Sequence, residues 1–129
     1  MGEIRSYRDV IAWQKAMAMC MVVYRKTAQF PKDERFGLTQ QIQRAAVSVA
    51  SNIAEGWGRG ATVEFLRYLR IARGSLCEVE TQGQLAEWLG YMGAGDAAEL
   101  NAITIECSKV MQGLIESLER KQAASEKVR

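Results

Sequence analysis

Four segments of this chain repeat their apolar residues at steps of three and four, and no segment alternates them at steps of two. A period near 3.6 gathers such residues on one face of a helix, so the pattern admits helices and excludes a sheet. Val10, Trp13, Met17, Cys20, Tyr24 and Ala28 predict a first helix over about 9–29. Phe30-Pro31 closes it, because proline disfavours the helical region for the residue before it. Leu38, Ile42, Ala45, Val49 and Ile53 predict a second helix over about 39–56 with Thr39 as its N-cap.

Gly56, Gly58 and Gly60 predict a tight turn into a third helix over about 62–90, where Thr62 is the N-cap and Glu64 faces the positive helix end. Its stripe is Phe65, Leu69, Ala72, Leu76, Val79 and Gly83, and a glycine there predicts close approach of a neighbouring helix. Gly93 to Gly95 turn the chain again. Asp96 and Glu99 then suggest a variant capping box for a fourth helix over about 96–118, striped by Leu100, Ile103, Cys107, Val110, Leu114 and Leu118. Residues 119–129 lose the apolar period and are expected to fray. Short connections force neighbouring helices to run in opposite directions, so the expectation is one all-α domain over residues 1–129, an antiparallel up-down-up-down four-helix bundle.

The 129 residues include no histidine, which removes the commonest general base and metal ligand and the usual partner of a Ser or Cys nucleophile. Most hydrolase chemistries and the histidine-containing di-iron bundle sites fall with it. The three cysteines, at 20, 77 and 107, form no C-x-x-C pair and suit a reducing, cytoplasmic setting. Cys20 and Cys107 lie on core stripes, whereas Cys77 projects outward. The sequence therefore predicts no catalytic residue, no metal and no cofactor. The longest uncharged stretches are about half of the ~20 residues a membrane span needs, and no secretory leader is read at the N-terminus. Net charge is only +2, from 17 Lys and Arg against 15 Asp and Glu, but residues 1–75 hold 12 basic and 6 acidic side chains and residues 76–129 hold 5 and 9. That division points to a basic surface for phosphates or for an acidic partner, or else to an ordinary mixed surface.

The second helix stands apart because Ala46, Val47, Ala50 and Ala54 extend its apolar surface around most of its circumference. One bundle interior needs less, so a subunit interface is expected there, with Val47, Ala50, Ile53 and Trp57 as its candidate residues.

Trp13-Gln14, Phe30-Pro31, Phe36-Gly37-Leu38, Arg44-Ala45-Ala46, Asn52-Ile53-Ala54-Glu55-Gly56, Gly58-Arg59, Glu64-Phe65, Ile71-Ala72, Gly74-Ser75 and Leu89-Gly90-Tyr91 form an ordered set. In these residues the chain resembles the four-helix-bundle proteins encoded in intervening sequences of bacterial large-subunit ribosomal RNA genes. The resemblance implies a homopentamer with a basic surface that binds RNA or DNA. It also extends to the accessory proteins of diversity-generating retroelements, which implies a reverse transcriptase as a further partner. The sequence departs from the family at Ala50, where proline often interrupts the second helix.

Arg67, Arg70 and Arg73 lie off the core stripe of the third helix, with Arg59 just upstream, and the four are the candidate nucleic-acid-binding residues. The competing reading is a solvated helix face. Asn52, Glu55 and Arg59 fit structural pairing at the helix end, with Arg44 or Arg59 as the partner of Glu55. Trp57 is read as packing, or as a stacking platform for a base. The alternative function is a structural or scaffolding homo-oligomer that binds a protein through acidic residues Glu99, Glu106 and Glu116.

Overall fold

The computed structural model describes residues 3–128 and contains four helices, α1 Ile11–Thr27, α2 Leu38–Gly58, α3 Thr62–Trp88 and α4 Ala94–Val128. Single 3-10 turns at Tyr7–Asp9 and Lys32–Glu34 precede α1 and α2, and no strand occurs among the described residues. Helices that follow one another in the chain pack together, α4 closes back on α1, and among the described residues the backbones of the diagonal pairs α1–α3 and α2–α4 stay apart. The result is the expected antiparallel four-helix bundle. Met19, Ile42, Ile53, Leu66, Leu69, Leu76, Met111 and Ile115 fill its centre, each fully buried. Burial of side chains this large stabilises the fold by about 1.5–3 kcal/mol apiece.

The helix ends differ from the sequence expectation in instructive ways. A capping box between Ser6 and Asp9 closes the Tyr7–Asp9 turn, so α1 starts at Ile11 and not near Asp9. Thr39 does not cap α2; the Glu34 carboxylate accepts the Leu38 N–H at 3.1 Å instead. Thr62 is the first residue of α3 and makes no side-chain cap bond. α2 runs on through Gly56 to Gly58, and only Gly60, at φ +84°, takes the left-handed conformation that turns the chain. α3 ends in a Schellman motif, with Gly90 at φ +80° and the Tyr91 N–H donating to the Ala86 carbonyl at 2.9 Å. α4 then begins at Ala94, two residues before Asp96, and the Asp96 and Glu99 carboxylates turn to Lys26 of α1 rather than to a capping box.

The tail expected to fray is helical through Val128; Arg129 lies outside the described residues. Strong helix formers carry it past the last stripe residue, and the Glu119 carboxylate is held by Arg70 of α3 at 2.8 Å.

Glycine does set helix spacing. A Cβ on Gly83 would lie 3.1 Å from Leu100 Cδ2, and one on Gly56 would lie 2.6 Å from the Tyr68 Cβ. Much of the apolar surface of α2 is covered inside the chain: α1 covers one flank, where the Cys20 thiol donates to the Ala46 carbonyl at 3.2 Å, and α3 covers the other at Gly56. Ala45, Ala46, Val49, Ala50 and Ile53 are all buried. Val47, on the outward side of α2, stays exposed at 42%.

Candidate nucleic-acid interface

The four candidate arginines are all exposed, and Arg70 and Arg73 reach partners on α4. Arg59, the C-cap of α2, donates to the Glu55 carboxylate at 3.2 Å and to the Tyr68 hydroxyl at 2.8 Å. Arg67 donates to Glu64 at 2.8 Å, with its guanidinium carbon 4.6 Å from the centre of the Tyr68 ring. Tyr68 thereby joins Arg59 and Arg67 into one cluster. Arg70 pairs across the helix seam with Glu119, and Arg73 donates to the Gln112 side chain at 3.1 Å.

Three of the four guanidiniums are therefore matched by a carboxylate, and Glu64 is held below the usual carboxylate range by its hydrogen bond from Arg67. The Glu55–Arg59 and Glu64–Arg67 pairs sit at helical spacings of four and three and are visible in the sequence. Glu119, Gln112 and Tyr68 are not, because only packing brings α4 beside Arg70 and Arg73 and turns the Tyr68 ring toward Arg59.

The expected interface residues separate in the same way. Ala50 and Ile53 are buried within the single chain, so they have no free surface to offer a neighbour. Trp57 packs at the end of the bundle, lining a crevice of about 450 Å³ with Phe65 and with Leu118 and Lys121 of α4. Val47 alone remains exposed, at 42%. Met17, Met21 and Tyr24, at steps of four and three along α1, are exposed as well.

Residues 8–113 match the 23S rRNA-intervening sequence protein family. The chain belongs to that family. A solved structure of similar fold is a protein of unknown function from the S23 ribosomal protein family of Bacteroides thetaiotaomicron; it is 20% identical, covers 82% of this chain and 96% of its own, and superposes with a TM-score of 0.76. No curated protein matches the sequence. At that identity the likeness is one of fold.

In this intervening-sequence protein, much of the ordered residue set serves the bundle itself. Phe30 packs against Tyr91 with ring centres 5.6 Å apart, and the Tyr91 hydroxyl donates to Glu34 at 2.7 Å. Asn52 donates to the Ser48 carbonyl at 2.8 Å, and Ser48 and Ser75 share a hydrogen bond of 2.9 Å between α2 and α3. Glu55 pairs with Arg59, not Arg44. These contacts tie residues of the Asn52 cluster to their own helix and, through Ser48, to α3.

The remaining residues of interest are also placed. Burial pushes the Cys20 and Cys107 thiols up to about 11 and about 12, as fits small core hydrophobes, and Cys77 is exposed. Among the described residues no group of three or more His, Cys, Asp or Glu side chains is gathered where a metal could sit, and no helix is long and apolar enough to cross a membrane. The acidic face of α4 is partly spent on α1: Glu99 pairs with Lys26 at 2.7 Å and with Arg25 at 3.7 Å, and Glu106 pairs with Lys15. Glu116 stays exposed.

Proposed function

We propose that this protein is a non-enzymatic, oligomeric RNA-binding protein that acts either as an rRNA intervening-sequence protein or as an accessory factor to a diversity-generating reverse transcriptase. The observation that carries the reading is the cluster of Arg59 and Arg67 about Tyr68, continued by Arg70 and Arg73. Surface ion pairs of this kind are worth about 0–1 kcal/mol each, so a phosphate can take over a guanidinium from its carboxylate at small cost. Contacts of this type recognise the backbone and not the base, which gives affinity with little sequence preference. Assembly as a homopentamer, the number that the family resemblance implies, repeats the arginine cluster by symmetry and multiplies its field.

The test is RNA affinity measured across a salt series, since released counterions give a steep salt slope. Arg67→Gln, Arg70→Gln and Arg73→Gln together keep side-chain length and helix propensity, so the variant should stay folded, bind more weakly and show a slope shallower by up to about 3. The converse pair Glu64→Gln and Glu119→Gln releases Arg67 and Arg70 and should tighten binding. Unchanged affinity and slope in both variants would remove the arginines from the interface and leave Arg5, Arg8 and Lys15 as the next basic group.

A further inference from the structure

α3 carries Glu64, Arg67, Arg70 and Arg73 in its first half, whereas the second half holds only acidic charges, Glu78, Glu80 and Glu87. Between the second half and the start of α4 lies a cleft of about 220 Å³. Its buried lining residues are Val79, Gly83, Met92 and Leu100 together with the hydroxyl-bearing Thr104. Glu80, Gln84 and Glu87 line it from α3, and no lysine or arginine lines it. Glu87 accepts only the Gln84 amide, at 3.2 Å, and among the described residues neither Glu80 nor Glu87 has a cation within ion-pair distance.

Large exposed apolar side chains follow one helical turn after residues that line it. Trp88 stands one helical turn beyond Gln84 and is 78% exposed, and Ile105 stands one turn beyond Asn101, another lining residue, and is 43% exposed. The cleft is smaller than the ~300–1,000 Å³ typical of drug-sized ligands, and suits one or two inserted side chains. Glu80 and Glu87 are seven residues apart on one stripe of α3, about 10 Å along its axis, which equals the spacing of two residues on one face of a second helix laid beside it. Carboxylates at both positions repel phosphate, so nucleic acid is the wrong occupant.

We propose that this cleft is the docking surface for a basic amphipathic helix of a protein partner. One apolar side chain of that helix seats on the Val79–Leu100 floor between Trp88 and Ile105. Lys or Arg residues one or two turns away pair with Glu80 and Glu87. The arginine cluster at the other end of α3 stays free, so the proposal stands whether or not the protein binds RNA.

Cys77 supplies the reporter, because it is exposed and lies one turn before Glu80, while Cys20 and Cys107 are buried. A fluorophore on Cys77 is titrated with a helix-forming Leu/Lys peptide and with a Leu/Glu peptide of identical pattern. The Leu/Lys peptide should bind saturably and the Leu/Glu peptide should not. Glu80→Gln with Glu87→Gln should weaken binding about three- to tenfold, and Trp88→Ala by about tenfold or more. Glu116→Gln, elsewhere on α4, and the triple arginine variant should leave it unchanged, with circular dichroism checking that every variant is folded. Failure of the Leu/Lys peptide to bind, or binding that ignores Glu80, Glu87 and Trp88, would overturn the proposal. So would a peptide signal lost to self-association of the labelled protein, which would make a second copy the occupant.

Discussion

Gly56 shows how one residue can hold two helices together without a side chain. A methyl group there would meet the Tyr68 Cβ at 2.6 Å, whereas one at Gly74, on the exposed face of α3, would meet nothing within 4 Å. Gly56→Ala should therefore destabilise the fold by about 1–3 kcal/mol through overpacking, despite the better helix propensity of alanine. Gly74→Ala should stabilise it by about 0.5–1 kcal/mol, and urea unfolding midpoints of the two variants should move in opposite directions. Glu34 is a second key position, since its carboxylate joins the Tyr91 hydroxyl to the first N–H of α2. Those bonds hold Glu34 below its ordinary 4.5 and Tyr91 above its ordinary 10.0. The lowered Glu34 contributes stability that is complete above pH 4.5 and is lost as pH falls through its folded value; the raised Tyr91 contributes stability that is complete below pH 10.0 and is lost as pH rises through its folded value. Tyr91→Phe should lower the thermal midpoint at neutral pH, and its difference from the parent should shrink toward both ends of a pH series. Nothing in the sequence pairs Glu34 with Tyr91, because 57 residues separate them.

At the scale of the elements, periodicity finds all four helices but centres two of them poorly. The stripes read for α2 and α3 coincide with the buried residues, Phe65 being only half-buried. In α1 the buried line is Ala12, Ala16, Met19, Val23 and Thr27, a fraction of a turn from the line through Trp13, Met17 and Tyr24. In α4 it is Leu100, Thr104, Cys107, Met111 and Ile115. Both helices carry two overlapping stripes of the same period, and the buried one mixes small residues, Ala12, Ala16 and Thr104, with large ones such as Met19, Met111 and Ile115, as interlocking side chains require. On α2 the same packing buries Ala50 and Ile53 inside the chain and leaves Val47 exposed. Ala50→Arg should abolish folding, since it buries a charge with no partner, and loss of the cooperative thermal transition would show it. Val47→Arg should leave the chain folded and, if Val47 faces another subunit, reduce its mass in light scattering.

Across the whole molecule, charge is arranged to close the bundle as well as to meet partners. Lys26, only 13% exposed in its side chain, pairs with both Asp96 and Glu99, and Lys15 pairs with Glu106, so a line of ion pairs clips α1 to α4. Glu99 and Asp96 hold the Lys26 ammonium above its ordinary 10.5. This seam uses basic residues of the first half of the chain against acidic residues of the second, which accounts for part of the asymmetry in the sequence without any ligand. Beyond that seam, α3 carries arginines of which Arg67 and Arg70 are matched by Glu64 and Glu119 in its first half, and Glu80 and Glu87 without a cation partner beside a cleft in its second. The sequence by itself determined the all-α class, the number of helices, their antiparallel order and the family, because periodicity, turn residues and ordered motifs are local and survive in a one-dimensional string. Only the tertiary structure decided which of two stripes is buried, which arginines are matched by Glu119 and Gln112, and which acidic residues are free. Those outcomes depend on residues about 40 to 90 positions apart meeting across a helix seam, and such meetings are set by how the helices rotate against one another when the core packs.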